Sequence, residues 1–233
     1  MNGVYRPNRR APWIASDSAD ARVAMIAPPP ARDDDSGDSV VPGMAAEHAI
    51  LGLLALSESG IGHGYDLARQ FSPEAPLGSV VRLEPGMVYH HLKKLERLGW
   101  VTVVPESGSG RSARRLFALS SSGRTELRRW LAEPVAHTRE IRRDFLVKLY
   151  LALQLDPALA VRLVDEQRQQ CARLVESLSN RLRMGRVEEK QDPDTASFGD
   201  MVLDMRLAQT RAALTWLDRV GRDAVIAVER VNA

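Results

Sequence analysis

The sequence predicts a mainly α protein with a small β-hairpin: an N-terminal winged helix-turn-helix domain followed by a C-terminal helical dimerisation region. Three observations carry this expectation. A short amphipathic helix, PGMVYHHLKKLER, runs directly into the β-prone segments WVTVV and LFAL, which are joined by a Gly/Ser tip and a cluster of arginines; that order sets one groove-sized helix beside a flexible wing. Between Val81 and Leu131 there are ten Lys and Arg against four Glu, a local excess that the formal net charge of +2 over 233 residues conceals. Apolar stripes at helical spacing then fill the C-terminal third.

Composition sets the outer limits. With 44% hydrophobic and 27% charged residues, the chain has ordinary globular composition and the length for one or two cores without covalent staples. Its single cysteine, Cys171, excludes an internal disulfide framework and fits a reducing compartment; a small buried apolar side chain is a plainer reading of it than a redox group. No apolar window reaches the roughly 18 residues of a membrane span, and the N-terminus has no hydrophobic stretch suited to secretion. A cytoplasmic protein without membrane attachment is therefore expected.

The chain divides into three parts. Residues 1–43 combine Pro28, Pro29 and Pro30 with the acidic run Asp33, Asp34 and Asp35 and show no sustained apolar period, which reads as a disordered arm. Its Arg6, Arg9 and Arg10 can reach phosphates, but the acidic run argues against a uniformly nucleic-acid-seeking tail, and an inert extension is the simpler reading. Residues 44–133 form the expected winged domain, and residues 134–233 the expected dimerisation and effector-response region.

Within the winged domain the first helix begins at Ala45, where Ile50, Leu51, Leu53, Leu54 and Leu56 give a broad apolar face that Ser57 to Gly62 then stops. Gly64 to Phe71 reads as a short second helix with Tyr65 and Leu67 turned inward. The third helix starts at Pro85, whose missing N–H suits the first helical position, with Glu84 placed to favour the helix dipole. Val88, Leu92, Leu95 and Leu98 form its core stripe. Tyr89, His90, Lys93, Lys94 and Arg97 project from the other side, and their donors and cations are what a major-groove helix needs. Gly99 closes the helix. A strand follows, then the tip Ser107-Gly108-Ser109-Gly110, then a returning strand with Arg111, Arg114 and Arg115 for phosphate or minor-groove contact and with Phe117 and Leu119 on one inward face.

These segments, AILGLLALSESGIGHGYDLARQF, PGMVYHHLKKLERLGWV, GRSARRLFALSSSGRTEL and RRDFLVKLYLAL, resemble in order and spacing the PadR family of transcriptional regulators, over about residues 46–153. Its most specific marks are Gly64-Tyr65, Pro85-Gly86 with Tyr89, Leu95-Glu96 with Gly99, and Leu119-Ser120 with Gly123-Arg124. The resemblance implies a homodimer whose C-terminal helices build much of the interface, and repression relieved by a small molecule or other signal. Two positions depart from the family pattern and bear on base preference: Met87, where Thr or Ser is common, and His90, where a basic residue often follows the tyrosine. The long leading arm is not a general family feature.

In the C-terminal third, Leu159, Leu163, Cys171, Leu174, Leu178 and Leu182 share one face of a helix starting at Pro157 with Asp156 as N-cap. After an interruption from Gly185 to Pro193, Phe198, Met201, Val202, Met205, Ala212 and Trp216 form a second stripe spaced for antiparallel packing on the first. Wide stripes call for a two-fold partner, so Leu159, Leu163, Leu174, Leu178, Met201, Met205 and Trp216 are the expected dimerisation set; a self-contained helical hairpin docked on its own winged domain is the alternative. The resemblance also suggests an effector cavity between the two regions, to which Phe145, Tyr150 and Trp216 are the candidate contributors, although aromatic residues on helical stripes usually just pack.

No catalytic constellation emerges. The five histidines never fall at His-x-x-x-His spacing, no Cys-x-x-Cys, HExxH or phosphate-cradling Gly loop occurs, and Ser57, Ser120 and Cys171 have no partnered base. No metal or cofactor is expected. The remaining alternative is a winged-helix module that binds protein through the same face, but such a face should be apolar or aromatic, whereas this one offers Lys93, Lys94 and Arg97 with Tyr89 alone aromatic. Double-stranded DNA is the expected partner, with a possible small-molecule effector.

Overall fold

A computed structural model describes residues 44–104, 115–188 and 197–232; residues 1–43 and the wing residues Arg111 and Arg114 lie outside the described residues. The elements, in order, are α1 (Met44–Leu56), β1 (Ile61–His63), α2 (Gly64–Arg69), α3 (Pro85–Arg97), β2 (Val101–Val104), β3 (Leu116–Leu119), α4 (Ser121–Ala132), the helical turn α5 (Thr138–Glu140), a π turn (Ile141–Phe145), α6 (Leu146–Leu155), α7 (Pro157–Glu188) and α8 (Phe198–Asn232). The sheet is antiparallel in the order β1-β3-β2, with His63 opposite Leu116 and Val101 opposite Leu119.

Helix α1 is the centre of the first core. Ala49, Ile50, Leu51 and Leu54 are fully buried among Leu67, Phe71, Val88, Leu92, Leu95, Phe117, Leu127, Leu131, Val147 and Leu151. It therefore touches both α3 and α6, the first long element of the C-terminal half. Helix α3 is bounded as its residues dictate. Pro85 occupies the first turn and Glu84 is an extended N-cap. At the other end Gly99 takes φ +71°, its N–H reaching Glu96 O at 3.0 Å while Trp100 N–H reaches Leu95 O at 3.0 Å. That paired bond pattern needs a left-handed residue, which glycine supplies without strain. The hydroxyls of Ser120 and Ser122 both donate to Gly99 O, at 2.7 and 2.8 Å, and Ser120 Oγ accepts from Gly123 N–H as the cap of α4, so the end of α3 is pinned to the start of α4.

The second core lies where α6, α7 and α8 meet, around Phe145, Leu149, Ala160, Leu163, Val164, Cys171 and Leu217. Asp156 caps α7, accepting Ala158 N–H at 2.9 Å. Gln167, buried on α7, clasps Val135 in the connection through both its amide groups, at 2.7 and 3.1 Å, and Thr138 and Thr210 share a hydroxyl bond of 2.8 Å.

Five expectations need correction. The segment stopping α1 contains a third strand, β1, so the wing is part of a three-stranded sheet. Tyr65 does not turn inward; it is 68% exposed, because a six-residue helix has room for one buried face only, and Leu67 and Ala68 hold it. Leu98 leaves the core stripe of α3 and is half exposed, since it is the C-cap where the helical register ends. Gly185 does not interrupt α7, which continues to Glu188. On α8, the face that meets α7 carries Leu207, Thr210, Leu214 and Leu217, while Phe198, Met201, Met205 and Ala212 point away from it; Phe198 is 81% exposed.

Lys148 joins the two halves. It is buried on α6, and its ammonium donates to the carbonyls of Trp130 and Glu133 at the end of α4, lying 4.6 Å from the Trp130 ring centroid. Burial pushes its pKa down to about 8, against the raising influence of Glu133. Below pH 8 the ammonium is charged in both folded and unfolded chains and its desolvation cost is fully present; between pH 8 and about 10.5 the unfolded chain keeps a proton the folded one has released, so this group makes stability rise with pH. Urea unfolding at pH 7.5 and 9.5 should show a rise in wild-type stability of roughly 1–3 kcal/mol relative to Lys148→Met, which lacks the titrating group. Parallel behaviour of the two proteins would contradict it.

Candidate nucleic-acid interface

The surface of interest is built by α3 and by the sheet next to it. Val88, Leu92 and Leu95 are buried, and this fixes the rotation of α3 so that Tyr89, His90, Lys93 and Arg97 stand outward and exposed. Arg115, at the foot of β3, is exposed beside them. Four of the five outward residues expected on this helix are therefore free to meet a partner.

Lys94 is different. Its Nζ lies 2.7 Å from Glu47 Oε1, and His91 Nδ1 lies 3.1 Å from the same oxygen. Glu47 is on α1 and only 2% exposed. A buried carboxylate thus grips α3 from behind through two side chains one helical turn apart. Burial pushes the Glu47 carboxyl up, but the hydrogen bond from Lys94, its own backbone amide and the charges of His91 and Lys94 outweigh this and hold it below the ordinary carboxylate value. Lys94, expected as a phosphate or base contact, is held to α1 by this bond while its side chain stays 41% exposed. Glu47 and His91 escaped the sequence reading, although a lone acid in the apolar run of α1 and a His/Lys pair at i, i+3 were available as signals.

On the neighbouring residue of α1, His48 is fully buried, stacked on Trp130 at 4.5 Å between ring centroids and 13° between planes. Its Nε2 lies 3.0 Å from Glu126 Oε1, and Arg129 donates to both oxygens of Glu126. The Arg129 hydrogen bond, stronger than the opposing burial, lowers the Glu126 carboxyl, with His48 adding to it. α1 is in this way tied to α3 by Glu47 and to α4 by His48.

Beside Tyr89 a cavity of about 380 Å³ opens, lined by His63, Gly64, Tyr65, Asp66, Tyr89 and Arg115. Tyr89 lies across the start of α2, where a Cβ on Gly64 would come within 2.7 Å of its ring. The absence of a side chain at residue 64 is what lets the ring lie there. His63 Nδ1 is buried with no hydrogen-bond partner among the described residues.

The expected dimerisation residues separate into two groups. Leu163 is fully buried in its own chain, and Leu159, Leu174, Leu178 and Trp216 are half-buried; Met201 and Met205 are exposed, with Phe198 and Met184. The expected effector residues do not converge on one spot. Phe145 is fully buried and meets Trp216 edge to face at 6.1 Å in the second core, whereas Tyr150 packs against the first. Among the described residues, no group of three or more His, Cys, Asp or Glu could share a metal ion, and no helix is long and apolar enough to cross a membrane.

Fold and surface together define a winged helix-turn-helix protein with a long helical C-terminal extension. Two family models match it in the same order: the transcriptional regulator PadR-like family over residues 50–129 and the virulence activator alpha C-terminal family over residues 141–222. The probable transcriptional regulator Rv1176c of Mycobacterium tuberculosis is 30% identical over 186 residues, covering 76% of this chain and 96% of that protein. The negative transcriptional regulator PadR of Bacillus subtilis is 27% identical over 178 residues, covering 75% and 94%. Among solved structures, Bacillus subtilis PadR in complex with operator DNA is 24% identical and covers 78% of this chain and 99% of that one, at a TM-score of 0.37. The same protein with p-coumaric acid is 23% identical, covering 77% and 98%, at 0.33; these scores are too low to carry site geometry across. The chain belongs to the PadR-like family of transcriptional regulators.

The Glu47 grip has a measurable signature. An acid whose folded pKa is depressed contributes stability above its unfolded value of about 4.5 and loses it as pH falls through the lower folded value. Glu47→Gln should cost about 1–3 kcal/mol in urea unfolding at pH 7, and the gap should narrow progressively as pH falls below the ordinary carboxylate value, closing once the depressed folded value is passed. A gap that persists unchanged in acid would mean the charge is not what matters.

Proposed function

We propose that this regulator binds operator-type double-stranded DNA as a homodimer, acts as a repressor, and is released by a small-molecule signal. One observation carries the DNA reading: Tyr89, His90, Lys93 and Arg97 stand exposed on a helix whose rotation is fixed by a buried apolar face and by Glu47, with Arg115 alongside. Exposed cations and amphipathic donors on a rigid helix suit base edges and phosphates; Met87 and Leu98 are also exposed on this helix, but Lys93, Arg97 and Arg115 supply the charge that a duplex needs. Arg111 and Arg114, which the sequence places after the Gly/Ser tip and which lie outside the described residues, are proposed as further phosphate contacts. Relatives described as a transcriptional regulator and as a negative regulator, and the solved complex of one of them with operator DNA, point the same way.

The dimer reading rests on α8, where Phe198, Met201 and Met205 recur at i, i+3 and i+7 and stay exposed, with Met184 of α7 also uncovered. A two-fold copy would cover this stripe and place two reading helices on one duplex. Effector release is proposed by analogy with the p-coumaric acid complex. Trp216, half-buried against Phe145, is the residue through which a planar ligand would act on the second core.

Affinity for duplex from the region upstream of the protein's own gene should fall steeply with salt, and replacing Arg111 and Arg114 by Ala should weaken all sequences alike while flattening that slope. Salt-independent binding, or none, would count against the DNA reading. Met201→Asp combined with Met205→Asp should give a folded monomer by light scattering that binds its site poorly. An unaltered dimer mass would place the interface elsewhere.

A further inference from the structure

The cationic side of α3 stands next to the point where the chain enters the fold. α1 begins at Met44, and its first turn is held down: Ala45 and Ala46 are buried, and Glu47 reaches α3 through Lys94 at 2.7 Å and His91 at 3.1 Å. The residues just before Met44 are therefore tethered beside the C-terminal half of α3. That half carries Lys93, Lys94 and Arg97 against one acid, Glu96. Lys93 and Arg97 are exposed and form no ion pair among the described residues, and Lys94 keeps 41% of its side chain in solvent beyond its bond to Glu47.

The segment that precedes α1 has the opposite charge. From Asp33 to Gly43 it reads DDDSGDSVVPG, with four aspartates and no Lys, Arg or His. These residues lie outside the described ones, but their covalent reach does not depend on their conformation. Asp38 is six residues from Met44 and Asp33 is eleven, which bounds their distance from the start of α1 at about 20 and 40 Å. α3, with 13 residues, is itself about 20 Å long. The four carboxylates are thus confined to the neighbourhood of Lys93, Lys94 and Arg97.

We propose that the acidic run from Asp33 to Asp38 docks on Lys93, Lys94 and Arg97 of its own chain and competes there with duplex phosphates. The contact needs only the cationic face; its regulatory consequence rests on the DNA reading above. A row of carboxylates offers acceptors to ammonium and guanidinium donors, which is the complement this face requires. A tether of this length holds the row at an effective concentration on the order of millimolar, so ion pairs too weak to form between separate molecules are populated within one. Exposed ion pairs contribute little each, and a duplex with many phosphates displaces them. The arm therefore acts as a threshold: it lowers affinity for duplex of any sequence at low salt, where non-specific binding is strongest, and leaves sequence preference to the helix.

The test uses the full chain and a variant with Asp33, Asp34, Asp35 and Asp38 all replaced by Asn, which leaves every described residue unchanged. A carbodiimide activates a carboxyl group so that a lysine amine in contact with it forms an amide, the reagent leaving as its urea. In wild-type protein without DNA, mass spectrometry should find residues 33–38 joined to Lys93 or Lys94, with the yield falling in about 0.5 M salt and on addition of duplex. In a mixture of isotopically heavy and light chains, the joined peptides should come from one chain. Anisotropy titrations with duplex from upstream of the protein's own gene should show the variant binding about three- to tenfold more tightly at about 0.05 M salt, with a steeper salt slope and the difference lost by about 0.3 M. Links that avoid α3, or equal affinities of the two proteins at low salt, would overturn the proposal. Links formed only between different chains would also overturn it and assign the face to the arm of a second copy. Links to α3 in a protein that binds no duplex would uphold the docking and overturn its competition with DNA together with the DNA reading.

Discussion

Everything in the winged half depends on the burial of α1. Because its sides are covered by α3, α4, α6 and the sheet, two adjacent polar residues, Glu47 and His48, are carried into the interior and must find partners there. They find them on different elements. Glu47 takes His91 and Lys94 of α3, and His48 takes Glu126 and Trp130 of α4. A buried carboxylate held by two side-chain partners, one of them the Lys94 ammonium, fixes a helix more sharply than apolar contacts, which tolerate sliding, because a displaced partner leaves an unpaired charge behind. The orientation of the reading helix is thus a consequence of where α1 has to go.

The same logic links the halves of the molecule. Trp130 stacks on His48 and lies beside the Lys148 ammonium, which holds the end of α4 from α6. A rearrangement of α6 through α8 would therefore reach α4 and α1 by way of specific polar contacts. Gln167 on Val135 and Thr138 on Thr210 tie the connecting segment to the long C-terminal helices by specific polar bonds.

Much of this was legible in the sequence, and the failures have physical reasons. The reading helix was legible because Pro85 and Gly99 mark both ends and Val88, Leu92 and Leu95 supply a clean period between them. β1 was not, since three residues show no alternation. Tyr65 was misplaced because a six-residue helix is too short for periodicity to choose its buried face. On α8 the sequence offers two apolar stripes, Phe198–Met201–Met205 and Leu207–Leu214–Leu217, and spacing alone cannot say which one its own chain covers. Lys94 read as a free cation because its partner, Glu47, is 47 residues away, and no local pattern reports a pairing of that range.

The central claim is that the exposed side of α3 and the foot of the wing form one duplex-binding face. Amide hydrogen exchange of the protein with and without duplex addresses it most directly. Slowed exchange over residues 85–97 and 115–117, with α7 unaffected in its middle turns, is the expected result. Slowing confined to α7 and α8, with α3 exchanging as in the free protein, would contradict the account.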